Sequence, residues 1–178
     1  MRLFIAIQFP PEIVSHLETI QKELMRHTKS GHFVESSNLH LTVLFLGEME
    51  ATRLNMVKDA MRKITVPSFS VLLQEVSSFK TQEGRLYYVN VKKNDQLETI
   101  VSELKETLNR SGFSLENKEY KPHITLAREV VLQENFDLTT YCQSIPHKRV
   151  DVEKVCLMRS DRIDHQVVYK EVASRHLP

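Results

Sequence analysis

The chain is 178 residues long, with 24 basic and 23 acidic residues and a net charge of +1. A chain of this length fits one domain and buries roughly 70% of its extended surface, so it needs no disulfide or metal staple to fold. Its 41% hydrophobic and 26% charged content excludes a disordered chain, and the charge balance gives no reason to expect a broad nonspecific duplex binder, while leaving room for a local basic patch.

Leu3-Phe4-Ile5-Ala6-Ile7 is too short for a helix or a signal-peptide core and reads as a buried strand ending before Pro10-Pro11. Proline then opens a helix whose buried stripe is Ile13, Leu17, Ile20 and Leu24, ended by Lys29-Ser30-Gly31. Asn38 to Glu48 reads as a strand. Leu54, Val57, Met61 and Ile64 mark a second helix, stopped by Pro67. Phe69–Val76 and Leu86–Val91 form a predicted strand pair around the turn Thr81-Gln82-Glu83-Gly84. A third stripe runs through Leu97, Ile100, Val101, Leu104 and Leu108 to Ser111-Gly112. A strand starts at His123 after Pro122, and Phe136–Ile145 reads as a short helix. Val150–Met158 and Gln166–Ala173 close the chain as a strand pair separated by the polar Ser160–His165.

Strand pairs between helices predict an α+β fold with antiparallel sheets rather than a doubly wound parallel sheet. Each half holds strands, a helix and one His-x-Thr segment, the pattern of a weak internal duplication. No apolar run approaches the roughly 18 residues of a membrane span. The four glycines are too few for a glycine-rich phosphate loop. Cys142 and Cys156 form no Cys-x-x-Cys pair, so the expectation is a reduced, soluble, cytoplasmic protein without structural zinc.

Two tetrads carry the chemistry. His40-Leu41-Thr42-Val43 and His123-Ile124-Thr125-Leu126 share one form: His, apolar, Thr, apolar. From composition, chance predicts about 0.08 such tetrads in the chain. In a strand, residues i and i+2 share a face, so each segment offers an imidazole and a hydroxyl to one side and two aliphatics to the other. An imidazole titrates near 6.5, so one histidine can be neutral while another is protonated. A neutral base opposite an acid drives in-line displacement at phosphorus, and fixed donors can replace a metal on the equatorial oxygens. The competing metal site is disfavoured, since there is no His-Glu-x-x-His and no acidic cluster beside either tetrad. No Gly-x-Ser-x-Gly elbow supports a serine hydrolase.

Beyond the tetrads, the chain resembles the bacterial and archaeal RNA 2′,3′-cyclic phosphodiesterases of the 2′-5′ RNA ligase family, within the two-histidine phosphoesterases. The resemblance runs through Met1–Ile7, then Asn38-Leu39-His40-Leu41-Thr42 with Phe45-Leu46-Gly47-Glu48. It continues in Tyr120–Arg128 and Leu157-Met158-Arg159-Ser160. It implies one bilobal domain over residues 1–178, with two antiparallel sheets forming a V-shaped cleft and one tetrad in each lobe. It implies hydrolysis of RNA 2′,3′-cyclic phosphodiester ends to 2′-phosphomonoesters without cofactor or metal. His40 would be the proton donor to the leaving 3′ oxygen, and His123 the proton acceptor that activates water. Thr42, Thr125 and Arg128 would bind substrate. By microscopic reversibility it also implies joining of a cyclic end to a 5′-hydroxyl in a 2′-5′ linkage. The expected partners are RNA ends or short oligonucleotides, with no membrane, and the expected state is a monomer.

Simple alternation puts 123, 125 and 127 on one face and 128 on the other, so Arg128 reaches the phosphate only if the strand bulges, twists or ends there. Leu44 stands where many relatives in this family carry Lys or Arg, which removes an expected contact to RNA. Phe33, Phe79 and one of Tyr87 and Tyr88 are candidate base-stacking platforms. His16, His27, His32, His147, His165 and His176 have no partner pattern and read as surface residues. Two other readings keep the same cleft: a noncatalytic RNA-end binder, and a sister phosphodiesterase acting on a small nucleotide such as ADP-ribose cyclic phosphate.

Overall fold

Four helices and nine strands make up the computed structural model, which describes residues 1–178. The predicted stripes form helices for identifiable local reasons. Helix α1 (Pro11–Arg26) starts on a proline, carries Glu12 in its first turn and Arg26 in its last, and buries Ile13, Leu17, Ile20 and Leu24. Helix α2 spans Leu54–Arg62. At the start of α3 (Asp95–Arg110), the Asn94 side chain accepts from the Leu97 amide; Asp137 accepts from the Thr140 amide to cap α4 (Leu138–Ser144).

The strands are β1 (Arg2–Ile7), β2 (Thr28–Phe33), β3 (Leu41–Glu48), β4 (Phe69–Thr81), β5 (Gly84–Val91), β6 (His123–Leu132), β7 (Lys148–Val152), β8 (Lys154–Ile163) and β9 (Gln166–His176). They pair antiparallel throughout, in sheets of order β3-β1-β8-β9 and β2-β6-β5-β4-β7. This is the expected α+β architecture. Helices α2 and α3 pack against the four-stranded sheet, α1 and α4 against the five-stranded one. One cluster of 39 buried residues runs beneath both sheets. The opposite face of β1 contributes Phe4 and Ala6 to a second small cluster with Cys156 and Met158, so β1 is buried on both sides.

Three elements differ from expectation. The segment Thr28–Phe33, expected to hold the end of α1, is strand β2, a polar edge strand that exists through its pairing with β6. The single strand expected over Val150–Met158 is two strands in different sheets. It breaks at Glu153, where β7 leaves β4 and β8 enters beside β1. No glycine or proline marks this crossing: β7 alternates buried Val150 and Val152 with charged residues, and β8 continues as the buried run Val155–Met158. Last, the polar Ser160–His165 is mostly strand. The β8–β9 turn is only Asp164-His165, with φ of 51° and 66°, the left-handed pair of a type I′ two-residue hairpin.

The two halves of the chain do not each form a sheet of their own. Chain ends supply the four-stranded sheet, and β2 from the first half joins the second motif's sheet.

Candidate active site

His40 sits one residue before β3, at the end of a short helical turn over Ser36–Asn38, and His123 opens β6. The two strands belong to different sheets, and their histidines and threonines line one cavity of about 660 Å³. Both rings are anchored in the same way. His40 Nδ1 donates to the Asn38 carbonyl at 2.7 Å, and His123 Nδ1 donates to the Lys121 carbonyl at 2.7 Å. In each case the acceptor lies two residues back and fixes the tautomer, leaving Nε2 as the unprotonated nitrogen of the neutral ring. The Thr42 hydroxyl lies 2.9 Å from His40 Nε2 and donates to it when the ring is neutral.

Carrier segments are tied down in turn. Asn38 Nδ2 donates to the Val167 carbonyl at 2.9 Å, linking the His40 turn to β9. Tyr120, just before the second motif, donates its hydroxyl to the Thr42 carbonyl at 2.7 Å and so links the two motifs directly. Burial pushes the Tyr120 phenol well above its usual range, which keeps it a donor.

A matched pair of bulges decides which side chains reach the cavity. Ala6 pairs with Thr42 but Ile5 with Leu44, so Val43 is an extra residue in β3. Tyr88 pairs with Thr125 but Tyr87 with Ala127, so Leu126 is an extra residue in β6. Consecutive residues then turn inward: Val43 with Leu44, and Leu126 with Ala127. The next side chain then turns outward, and a second register shift follows in each strand, between Phe45 and Gly47 and between Ala127 and Val130. The fifth residue after each histidine, Phe45 or Arg128, therefore emerges into the cavity. This meets the condition that strand geometry set for Arg128. Leu44 packs in the core at 7% exposure and is not among the residues lining this cavity.

The cleft is electrostatically uneven. Burial lowers the proton affinity of His40 below the usual imidazole range. Its hydrogen bond to the Asn38 carbonyl opposes this, and the charges of Arg128 and His123 lower it further.

None of the proposed stacking aromatics lines the cavity. Tyr87 is core, Phe79 is exposed, and Tyr88 packs edge-on against His123 with ring centroids 5.4 Å apart. The aromatic residues that do line it are Phe4, Phe45 and Tyr169. Phe4 and Tyr169 hold the His40 ring at 4.9 and 5.3 Å. Arg2 and Arg162 line it as well. Alternation within β1 would have put Arg2 and Phe4 on one face; Tyr169 and Arg162 depend on the β8–β9 register, which no local signal marks. Two of the histidines read as surface are partly buried. His27 stacks on Phe136 at 4.0 Å, and the Nε2 of His16 is enclosed without a partner.

Comparison with known proteins agrees with this architecture. A protein from Thermotoga maritima named RNA 2′,3′-cyclic phosphodiesterase is 28% identical, over 96% of this chain and 92% of its own. A crystal structure from Thermus thermophilus superposes with a TM-score of 0.80 at 22% identity, over 99% and 98% of the two chains. The crystal structure of Escherichia coli LigT complexed with 3′-AMP gives a TM-score of 0.76 at 25% identity, over 99% and 97%. The family model described as the 2′-5′ RNA ligase superfamily matches residues 9–164, nearly the whole of the paired-tetrad fold, and the chain belongs to that superfamily.

Proposed function

We propose that the protein hydrolyses RNA 2′,3′-cyclic phosphodiester ends to 2′-phosphomonoesters by histidine acid–base catalysis, without a metal. The observation that carries this reading is the pair of imidazoles, each anchored through Nδ1, with both Nε2 atoms available at one cavity. His123 Nε2 takes a proton from water as the oxygen attacks phosphorus. The 3′ oxygen leaves and takes its proton from His40 Nε2, while the 2′ oxygen keeps the phosphoryl group. Thr42 and Thr125 supply hydroxyl donors and Arg128 a planar fork to the equatorial oxygens, where charge develops.

The lowered proton affinity of His40 fits a donor that is charged only with substrate in place. An anionic phosphate beside it offsets the repulsion from Arg128 and His123 and draws a proton onto the ring. A 5′-hydroxyl replacing water gives a 2′-5′ linkage by the same displacement. The reading includes a monomer. It also includes a cytoplasmic location, where the two unbridged cysteines, Cys142 and Cys156, stay reduced.

The test is incubation with 2′,3′-cyclic AMP and a cyclic-ended oligoribonucleotide in excess chelator. The expected product is the 2′-phosphate. Activity lost in EDTA and restored by zinc would overturn the mechanism, as would release of a 3′-phosphate.

A further inference from the structure

We infer that the cavity contains a second anion subsite, formed by Arg2 and Arg162, that receives a phosphoryl group on the 5′ side of the reacting nucleotide. This rests on the phosphodiesterase reading above and specifies its substrate class.

Three arginines line the cavity: Arg2, Arg128 and Arg162. Two carboxylates line it too, but both are held by cations outside it. Glu48 pairs with the N-terminal amine at 3.4 Å. Asp161 pairs with Arg159 at 2.9 Å and Lys170 at 3.9 Å. The three guanidinium groups are left without a carboxylate partner, an arrangement that favours an anionic ligand.

Arg128 belongs to the reacting phosphate, because it follows His123 on β6 and its charge acts on His40. Arg2 and Arg162 come from the opposing sheet. Arg2 pairs in register with Ser160, and Arg162 lies two residues beyond Ser160 on β8, so all three share a face. Phe4, which packs on His40, is the next residue of β1 on that face, about 7 Å from Arg2 along the strand. The pair therefore lies one step away from the catalytic rings. Arg2 is oriented by the face of Phe45, its guanidinium carbon 5.1 Å from the ring centroid. This cation–π contact leaves its N–H edge available.

A nucleoside 2′,3′-cyclic monophosphate carries one anion and leaves the second pair unused. A phosphoryl group on the 5′ oxygen fills it. That group is common to a 5′-phosphorylated mononucleotide and to the last internucleotide linkage of an RNA strand.

The experiment compares kcat/KM for adenosine 2′,3′-cyclic phosphate, its 5′-phosphorylated form and the dinucleotide ApA ending in a cyclic phosphate. Wild type and the double variant Arg2→Ala/Arg162→Ala are measured at low and moderate salt. In the wild type, both larger substrates are expected to exceed the first by about tenfold, the worth of one charge-assisted contact at an open site. The advantage should shrink with salt and fall to near one in the double variant. Preference for the 5′-phosphorylated mononucleotide alone also supports the subsite and assigns it to free 5′-phosphate. Preference for the dinucleotide alone overturns it, since the second nucleoside and not the phosphate is then being read. So does a wild-type ratio near one, or a ratio the double variant retains. The variant Arg2→Lys/Arg162→Lys keeps the charge and should keep part of the ratio, which separates charge recognition from damage to the sheet. If the wild type turns over none of the three in chelator, the phosphodiesterase reading itself fails.

Discussion

Each of the two cavity imidazoles receives its tautomer from a carbonyl two residues upstream, so the state of His40 and His123 is set by very local backbone geometry. In the proposed mechanism, removing either ring removes the acid or the base. His40→Ala and His123→Ala should each lower kcat by about 10² to 10⁴, with melting temperatures close to that of the parent. Retention of more than a tenth of the rate in either variant would contradict the assignment. The two positions differ in their surroundings, however. His40 loses proton affinity first through burial and then through its cationic neighbours. The donor must be protonated, so kcat/KM should decline as pH rises through a midpoint on the acid side of the usual value near 6.5. Substituting Arg128→Gln removes one repelling charge. It should move that midpoint to higher pH while lowering the rate through loss of the phosphate fork. A pH–rate profile recorded for both proteins checks the sign, and an acid-ward shift in the variant would refute it.

At the level of elements, the site is made by two bulges, and the one in β6 is stapled from outside. The carbonyl of its extra residue, Leu126, accepts from the Val34 amide at 2.9 Å and from Gln21 Nε2 at 3.0 Å. Gln21 sits on the buried face of α1 at only 3% exposure, and also donates to the Val34 carbonyl at 2.9 Å. A glutamine among Ile13, Leu17, Ile20 and Leu24 would be out of place in a plain apolar stripe; here it serves the backbone that positions Arg128. Gln21→Leu should cost about 1–3 kcal/mol, since the Val34 carbonyl loses its donor and the Leu126 carbonyl keeps only the Val34 amide. It should also reduce kcat/KM more than Leu24→Ala does at similar destabilisation, because only the former loosens the bulge. Denaturant melts alongside kinetics test this, and equal kinetic losses would contradict it. Further along, β6 is approached closely by Gly84, whose φ is +144° and where a Cβ would lie 2.8 Å from the Glu129 carbonyl carbon. Gly84→Ala should therefore destabilise the β4–β5 hairpin by about 1–3 kcal/mol, read as a lower denaturation midpoint.

Across the whole molecule, a shared core joins two sheets whose polar faces meet at the cavity, and the same enclosure makes the fold sensitive to acid. His40 is lowered in proton affinity chiefly by burial, as is His16, where the charge of Lys148 adds to the effect. In the unfolded chain both return to a value near 6.5. As pH falls below that value, the unfolded state takes up protons before the folded one. Stability is thus complete above about 6.5 and declines through the window down to the lowered folded values. Thermal melts at pH 7.5 and 5.0 should show the lower melting temperature at pH 5.0, and His16→Leu should lessen the difference. A melting temperature that stays level or rises toward pH 5.0 would rule this out.

The amino-acid sequence by itself determined the helices, the apolar strands and the identity of both tetrads. Those features depend on periodicity and on short-range chemistry: the leucine and isoleucine stripes of α1 and α3, the proline start, the i and i+2 placement of histidine and threonine. Tertiary structure alone decided the rest. Strand β2 carries no apolar alternation and exists because β6 offers it an edge. The break at Glu153 divides one expected strand between two sheets. Phe45 and Arg128 reach the cavity, and Leu44 does not, because bulges at Val43 and Leu126 shift the alternation by one. A bulge depends on what the neighbouring strand and helix can satisfy, here Gln21 and Val34 beside Leu126, and that information lies far away along the chain.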